Sequence, residues 1–168
     1  MRRSDKEITD RSHIDRIIRG SQVCRLAFAV DDQPYVVPLS FGYDGKALYF
    51  HTARRGKKID FIAANPRVCF ECERNVQLLT DSSDPCGWSF SYESVVGHGT
   101  ISELVSHEDK AYALSQIVHL CSGREWDSAS TNLDSVRVWR LPVESVTGKR
   151  SPPRGPRALE RTGDAPGR

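Results

Sequence analysis

The clearest candidate for chemistry in this sequence is a group of basic residues around a glycine, Arg54-Arg55-Gly56-Lys57-Lys58. The group stands at the start of a predicted helix, where free N–H groups favour an anion. A cation at that end of a helix is instead disfavoured by roughly 0.3–1 kcal/mol per charge. A bound phosphate would relieve this repulsion, so the pattern predicts an anion site. The alternative is an exposed basic surface.

Two polar side chains precede the basic group at the end of a predicted strand. His51 carries an imidazole that titrates near neutral pH, so it could protonate or polarise a small acceptor. Its alternative role is a half-buried histidine bonded to the backbone. The hydroxyls of Thr52 and Ser40 could bond the edge of a ligand or the adjacent backbone. A phosphate-bearing cofactor lying along a sheet would fit this arrangement.

The spacing Cys69-Phe70-Glu71-Cys72 invites a zinc or redox interpretation. Residues three apart on a strand point to opposite faces, so one metal ion could not easily take both thiols. His98 could ligate haem or a metal together with His119 or Cys121, but nothing in the sequence brings them together. We therefore predict no metal site, and a thiol–metal redox module remains as an alternative.

The composition is that of one globular domain. The chain has 168 residues, 38% of them hydrophobic and 27% charged, which suffices for a core. A net charge of +2 is too balanced to indicate nucleic acid. No apolar run reaches the roughly 20 residues needed to cross a bilayer, and the N-terminus does not resemble a signal peptide. A cytoplasmic location is therefore expected, in which the five cysteines stay reduced, and their odd number also argues against a full disulfide framework.

Periodicity divides the chain into an N-terminal arm, a domain and a tail. Residues 1–10 are predicted to be a flexible arm, residues 11–150 the domain, and residues 151–168, rich in Pro, Gly and Arg, a disordered tail.

Three helices are expected: one capped by Ser12 and ending near Gly20, one over 57–64, and one from Ser106 to about Gly123. Strands are expected over 24–30, 35–43, 47–52, 68–73, within 88–104, where Gly97 and Gly99 allow a bulge, and around 136–141. The strands at 35–43 and 47–52 are joined by a turn at Asp44-Gly45. Because helices and strands do not alternate regularly, the pattern favours a mainly β, antiparallel barrel.

Several segments together resemble a known family in their order and spacing. They are Val37-Pro38-Leu39-Ser40-Phe41, Leu48-Tyr49-Phe50-His51-Thr52, Gly56-Lys57-Lys58, Asn65-Pro66-Arg67-Val68-Cys69-Phe70, Ser94-Val95-Val96-Gly97 and Val146-Thr147-Gly148-Lys149-Arg150. This pattern, over about residues 10 to 150, resembles the FMN-binding split-barrel family related to pyridoxamine 5′-phosphate oxidase. Within it the chain is most similar to the nitroimidazole-resistance (Nim-type) branch, where a histidine occupies the place of His51.

The resemblance implies a fold, a cofactor and a partner. The fold would be a six-stranded antiparallel split β-barrel with about three flanking helices, of the α+β type. It would form a homodimer with FMN in a groove at the interface, and FAD, a deazaflavin or haem would be alternatives. The implied cofactor contacts come from Val37, Pro38, Leu39, Ser40, Phe41, His51, Thr52, Lys57 and Lys58, and from Tyr92 and Ser94, which could belong to the partner subunit. Tyr92 could equally be a core or interface aromatic.

The sequence also departs from the oxidase itself. The oxidase ends in a substrate-binding segment with paired tryptophan, arginine and histidine residues, and residues 136–142 do not match it. A role in making pyridoxal phosphate is therefore not expected. The resemblance implies FMN-dependent reduction of a small organic acceptor, such as a nitro compound, with His51 as the catalytic residue. The alternative is a flavin or haem protein that stores or senses its cofactor without turnover.

Overall fold

The computed structural model describes residues 4–81, 85–126 and 133–151, which form two antiparallel sheets and three α-helices. The strands are β1 Glu7–Ile8, β2 Cys24–Val30, β3 Gln33–Leu39, β4 Gly42–Tyr43, β5 Ala47–Thr52, β6 Arg67–Leu79, β7 Ser89–Thr100, β8 Ser102–Leu104, β9 Arg137–Pro142 and β10 Ser145–Ser151. A six-stranded sheet has the order β1-β10-β7-β6-β2-β3, and a four-stranded sheet has the order β4-β5-β9-β8.

The core lies between the inner faces of the two sheets. Leu26 and Phe70 enter it from the six-stranded sheet, and Phe50, Trp139 and Leu141 enter it from the four-stranded sheet. Each of these side chains is at most 3% exposed. The strands β2 and β6 alternate buried and partly exposed residues because successive side chains point to opposite faces. The prediction of an antiparallel split barrel with three helices is confirmed.

The helices begin and end at local signals. Helix α1, Arg11–Arg19, is capped by Asp10, whose carboxylate accepts hydrogen bonds from the N–H groups of Ser12 and His13. The predicted cap, Ser12, is therefore wrong, because its hydroxyl instead donates to Asp10. Helices α2, Lys57–Ala64, and α3, His107–Ser122, match their predictions. Helix α3 covers the four-stranded sheet through Ala113 and Ile117. None of the described helices combines the length and the apolar character that crossing a membrane requires.

Two predicted chain segments take a different form. Glu7 and Ile8, predicted to lie in a loose arm, pair with Lys149 and Gly148 of β10, and Ile8 is buried. The single strand predicted over residues 35–43 is divided at 40–41 into β3 and β4, which belong to different sheets. At the other end of the domain, Ser151, predicted to begin the tail, closes β10, and residues 152–168 lie outside the described part of the chain.

The hairpin between β4 and β5 turns one residue later than predicted. The backbone N–H of Asp44 bonds the carbonyl of Ala47, so Gly45 and Lys46 form the turn, and Gly45 has φ +95°. The carboxylate of Asp44 accepts from the N–H groups of Lys46 and Ala47. Asp44 is thus the side-chain cap of the turn and not one of its central residues.

Gly97 and Gly99 have a role that differs from the predicted bulge. Strand β7 runs through both glycines without a register shift, and the shift lies instead between Arg74 and Gln77 of β6. A Cβ atom at Gly99 would overlap the carbonyl oxygen of Pro142, and one at Gly97 would overlap the ring of Phe70. Gly99 therefore allows the two sheets to approach closely, and Gly97 leaves room for the Phe70 ring of the neighbouring strand β6.

Candidate functional site

The start of helix α2 is open to a ligand. Its N-cap, Gly56, has φ +134°, a conformation that other residues rarely adopt, and it supplies no capping side chain. The carbonyl of Gly56 accepts from the N–H groups of Ile59 and Asp60. No side chain caps the remaining N–H groups of the first turn. The first turn therefore keeps the donors and the partial positive charge that an anion requires.

Lys57 holds its ammonium group above aromatic rings. Its Nζ lies 4.8 Å from the ring centroid of Tyr35 on β3 and 5.4 Å from that of Phe61. Such cation–π contacts restrict a long side chain to one region. Lys57 is thereby placed between the start of α2 and the edge strand β3.

Lys58 is the best indication of an anion-binding site. Its side chain is partly buried, and burial lowers the pKa of its ammonium group. Within the described part of the chain, Lys58 makes no ion pair or hydrogen bond through its side chain. A desolvated cation without a carboxylate is unfavourable. An anion at the start of α2 would supply the missing charge.

In the segment predicted to line the flavin ring, the side chains along β3 alternate between the inner and the outer face of the sheet. Val37 and Leu39 turn inward and pack against the core, while Pro38 and Ser40 are exposed on the outer side. Phe41 is only 1% exposed, so it could touch a ligand through its backbone alone. Strand β3 is the edge of the six-stranded sheet, and its outer backbone groups face away from β2. The segment therefore offers two side chains and a row of peptide groups.

His51 and Thr52 are adjacent on β5 and point to opposite faces of the four-stranded sheet. The Oγ1 atom of Thr52, buried, accepts a 3.0 Å hydrogen bond from the indole Nε1 of Trp139. His51 is exposed, and its ring makes no hydrogen bond to any residue that the structure describes. The side chain of His51 is thus available to a ligand, whereas the hydroxyl of Thr52 already serves the core.

Tyr92 and Ser94 lie apart from the lysines within one chain. They stand on β7, which is separated from β3 by β6 and β2. Three strand spacings correspond to about 14 Å across the sheet. The hydroxyl of Tyr92 accepts a 2.9 Å hydrogen bond from Lys149, and Ser94 pairs with Lys149 across the strands. One protomer does not bring these two residues to the start of α2.

The residues of the basic group Arg54-Arg55-Gly56-Lys57-Lys58 do not all contribute to the same site. Arg54, unlike the two lysines, lines a cleft of about 510 Å³ together with Glu103, Lys110, Val136 and Arg137. Sequence reasoning missed these four residues because they come from three distant parts of the chain. No spacing or motif in the sequence could have joined them.

The thiols are arranged as structural residues. Cys69 and Cys72 point to opposite faces of β6, as expected. Cys72 is buried directly opposite Cys24 of β2, and the hydrogen bond between the two thiols, together with burial, raises the pKa of Cys72. His98 lies on β7, and His119 and Cys121 lie on α3. The described ranges contain no group of three or more His, Cys, Asp or Glu residues suited to a metal ion.

Comparison with known proteins agrees with this architecture. Residues 10–150 match the sequence model of the family described as pyridoxamine 5′-phosphate oxidase. A curated relative, the uncharacterized protein RA0666 of Rhizobium meliloti (strain 1021), is 33% identical over 112 residues. The alignment covers 64% of this chain and 66% of the relative, slightly less than two thirds of the relative's length.

Two solved structures extend the comparison. One, from Bacteroides thetaiotaomicron VPI-5482, is provisionally described as a 5-nitroimidazole antibiotic resistance protein; it is 29% identical, covers 86% of both chains and has a TM-score of 0.74. The other is an FAD-binding protein (mll6688) of Mesorhizobium loti; it is 26% identical, with a TM-score of 0.64, and the match covers 88% of this chain and 98% of that one. The resemblance seen in the sequence motifs is confirmed, and the match over residues 10–150 shows that this chain belongs to the pyridoxamine 5′-phosphate oxidase family.

Proposed function

We propose that this chain is a homodimeric flavoprotein that binds FMN and reduces a small organic acceptor. The observation that carries the proposal is the partly buried Lys58, which has no charge partner among the described residues and stands at an uncapped helix start. The FAD-binding protein of Mesorhizobium loti, which has the same fold, supports a flavin as the ligand.

The phosphate of FMN would lie at the first turn of α2. Lys58 would gain the anion that offsets its desolvation, and Lys57, held over Tyr35, would approach from the side of β3. The N–H groups beyond Gly56 would donate to the phosphate oxygens. The phosphate of FMN would thus lie beside two ammonium groups and the positive end of the helix dipole.

The flat isoalloxazine ring of the flavin would lie along the edge strand β3. Pro38 and Ser40 present their side chains there, and the outward peptide groups of the edge strand can bond the ring edge. The isoalloxazine supplies the electron chemistry when it is bound. His51, exposed at the end of β5, would donate a proton to the acceptor, because its ring has no other described partner.

A second copy of the chain would complete the groove. The outer face of the six-stranded sheet exposes Val36 by 58% and Val96 by 40%, and Ala27 is the cross-strand partner of Val36. Exposed apolar side chains on one open sheet face are typical of an interface. Tyr92 and Ser94 would then reach the cofactor of the partner subunit, since their own lysines lie too far away.

The proposed chemical class of the acceptor is based on one similar protein. The Bacteroides thetaiotaomicron protein provisionally described as a 5-nitroimidazole resistance protein is 29% identical to this chain over most of both lengths. A nitroaromatic compound is therefore the first acceptor to test. A flavin that binds tightly but passes no electrons to such acceptors would favour storage or sensing of the cofactor.

The test is the absorption spectrum and mass of the molecule that co-purifies with the protein, followed by FMN titration of variants. The double variant Lys57→Ala/Lys58→Ala should weaken FMN binding at least about 100-fold, because it removes two charge-assisted contacts of roughly 1.5–3 kcal/mol each. Arg55→Ala, a neutralised cation of the same loop, is the matched control. Unchanged FMN affinity in the double variant, or a haem spectrum without flavin, would overturn the proposal.

A further inference from the structure

The cleft beside Arg54 gathers positive charge from three elements. Arg54 follows β5, Lys110 lies in the first turn of α3, and Arg137 begins β9. Among the described lining residues, Glu103 of β8 provides the only carboxylate. The described lining thus includes three cationic side chains and one carboxylate around a space of about 510 Å³, which is large enough for a small organic molecule.

Arg137 is held in a fixed orientation. Its Nε and Nη2 atoms donate to the two carboxylate oxygens of Glu103 over 2.8 and 2.5 Å, and its guanidinium lies 4.6 Å from the ring centroid of Trp139. A bidentate pair and a stacking contact pre-organise the guanidinium and leave its Nη1 donors for a ligand. The hydrogen bond from Arg137 lowers the pKa of Glu103, and Lys110 acts in the same direction.

Arg54 is the unbalanced charge of the cleft. Glu103 already pairs with Arg137, and Arg54 forms no ion pair with any residue in the described ranges. A planar guanidinium with five donors matches a carboxylate or a phosphate better than it matches water alone. The cleft therefore has the charge, the donors and the volume of an oxyanion site.

The cleft adjoins His51. On the face of the four-stranded sheet covered by α3, His51 stands directly opposite Val138, and Val136, two residues before Val138, lines the cleft. Val136 directly precedes β9 and packs against the same buried cluster as Val138. A molecule whose anionic group enters the cleft would place its other end at His51.

We propose that Arg54, Lys110 and Arg137 bind the carboxylate or phosphate group of the acceptor, so that the acceptor is an organic anion. This inference rests on the proposed function for the role of His51, but the anion site itself does not depend on a flavin. Lys57 and Lys58 do not line the cleft, so we expect that a ligand there does not compete with the FMN phosphate.

The test titrates the full chain with inorganic phosphate and with succinate in the presence of excess FMN, which fills the proposed phosphate site of α2, and it is followed by the NMR shifts of the arginine side chains. The wild type should bind at least one of the two saturably, and the preferred probe tells a phosphate from a carboxylate ligand. Arg54→Ala/Lys110→Ala should weaken that binding at least about tenfold while FMN affinity stays unchanged. Arg137→Lys, which keeps the charge but removes the bidentate geometry, should weaken it as well.

Arg55→Ala is the control, because Arg55 belongs to the same loop and does not line the cleft. Equal anion affinity in the wild type and in the Arg54→Ala/Lys110→Ala variant would overturn the proposal, as would equal losses in that variant and in the control. A chain that binds the anions at the cleft but no flavin would overturn the proposed function instead.

A second experiment tests the acceptor. The wild type should reduce a carboxylated nitroaromatic faster than the matching neutral amide, and this advantage in rate should be lost in the Arg54→Ala/Lys110→Ala variant. No such advantage in the wild type would contradict the assignment of the cleft to the acceptor.

Discussion

Trp139 donates its indole N–H to Oγ1 of Thr52 over 3.0 Å, and this bond joins the end of β5 to β9 inside the core. The two residues are not direct strand partners, since Thr52 pairs with Arg137 and Trp139 pairs with Phe50. The same indole carries the guanidinium of Arg137 on its face. Thr52 is therefore linked through one ring to Arg137 of the cleft, while its backbone leads directly into the loop of α2.

Replacing Thr52 tests the structural side of this coupling. Thr52→Val keeps the shape but leaves the buried indole N–H without an acceptor, which should lower the free energy of unfolding by about 1–3 kcal/mol. Urea denaturation with a constant m-value measures the loss. Thr52→Ser restores the hydroxyl and should recover most of the stability. Equal stability of the Val variant and the wild type would show that the bond contributes nothing.

Lys58 should make FMN binding sensitive to alkaline pH. Burial lowers the pKa of Lys58 in the free protein, so its charge is lost at a lower pH than that of an ordinary lysine. A phosphate favours the charged form and raises this pKa in the complex. FMN affinity should therefore be greatest below the pKa of the free protein and should fall as the pH rises through it.

Flavin fluorescence quenching from about pH 7 to about pH 11 measures this dependence, because the range brackets the ordinary lysine pKa. In Lys58→Arg the charge persists over the whole range, so the alkaline fall attributable to this position should disappear. An identical pH profile in the wild type and in Lys58→Arg would show that Lys58 does not contact the phosphate.

His51 should affect turnover and leave cofactor binding intact. In His51→Gln the side chain can no longer deliver a proton near neutral pH, so the reoxidation of the reduced flavin by a nitroaromatic acceptor should slow by about 10²–10⁴-fold. His119→Gln, an exposed histidine of α3, is the control. A His51→Gln variant with the full rate would make His51 a structural residue.

The elements that the sequence predicted best are those decided by short-range chemistry. The bounds of α2 and the cap of α3 at Ser106 follow from residues next to one another, since Ser106 accepts from the N–H of Asp109 and Gly123 ends the helix at φ +67°. The two lysines at the helix start were likewise identifiable from adjacent positions. Local signals of this kind act before the chain folds.

The elements that the sequence missed depend on distant partners. Strand β10 is polar and contains Gly148, and its extended form comes from pairing with β7 and β1. The cleft is a stronger case, because Arg54, Lys110 and Arg137 meet only after α3 covers the four-stranded sheet and β9 inserts between β5 and β8. The topology of the sheet brings these charges together, and no periodicity along the chain indicates that they will meet.

The outer face of the six-stranded sheet should hold two copies of the chain together. Val36→Asp/Val96→Asp places two carboxylates on that face, where apolar side chains would otherwise be buried against the partner, so association should weaken at least about 100-fold. Val105→Asp is the matched control, because Val105 is 81% exposed and lies between β8 and α3, away from this face. Sedimentation velocity over a range of concentrations measures the dissociation constant. Since Tyr92 and Ser94 would reach the cofactor of the other subunit, the same variant should also lose FMN affinity. A wild type that sediments as a monomer while it binds FMN tightly would contradict the shared groove.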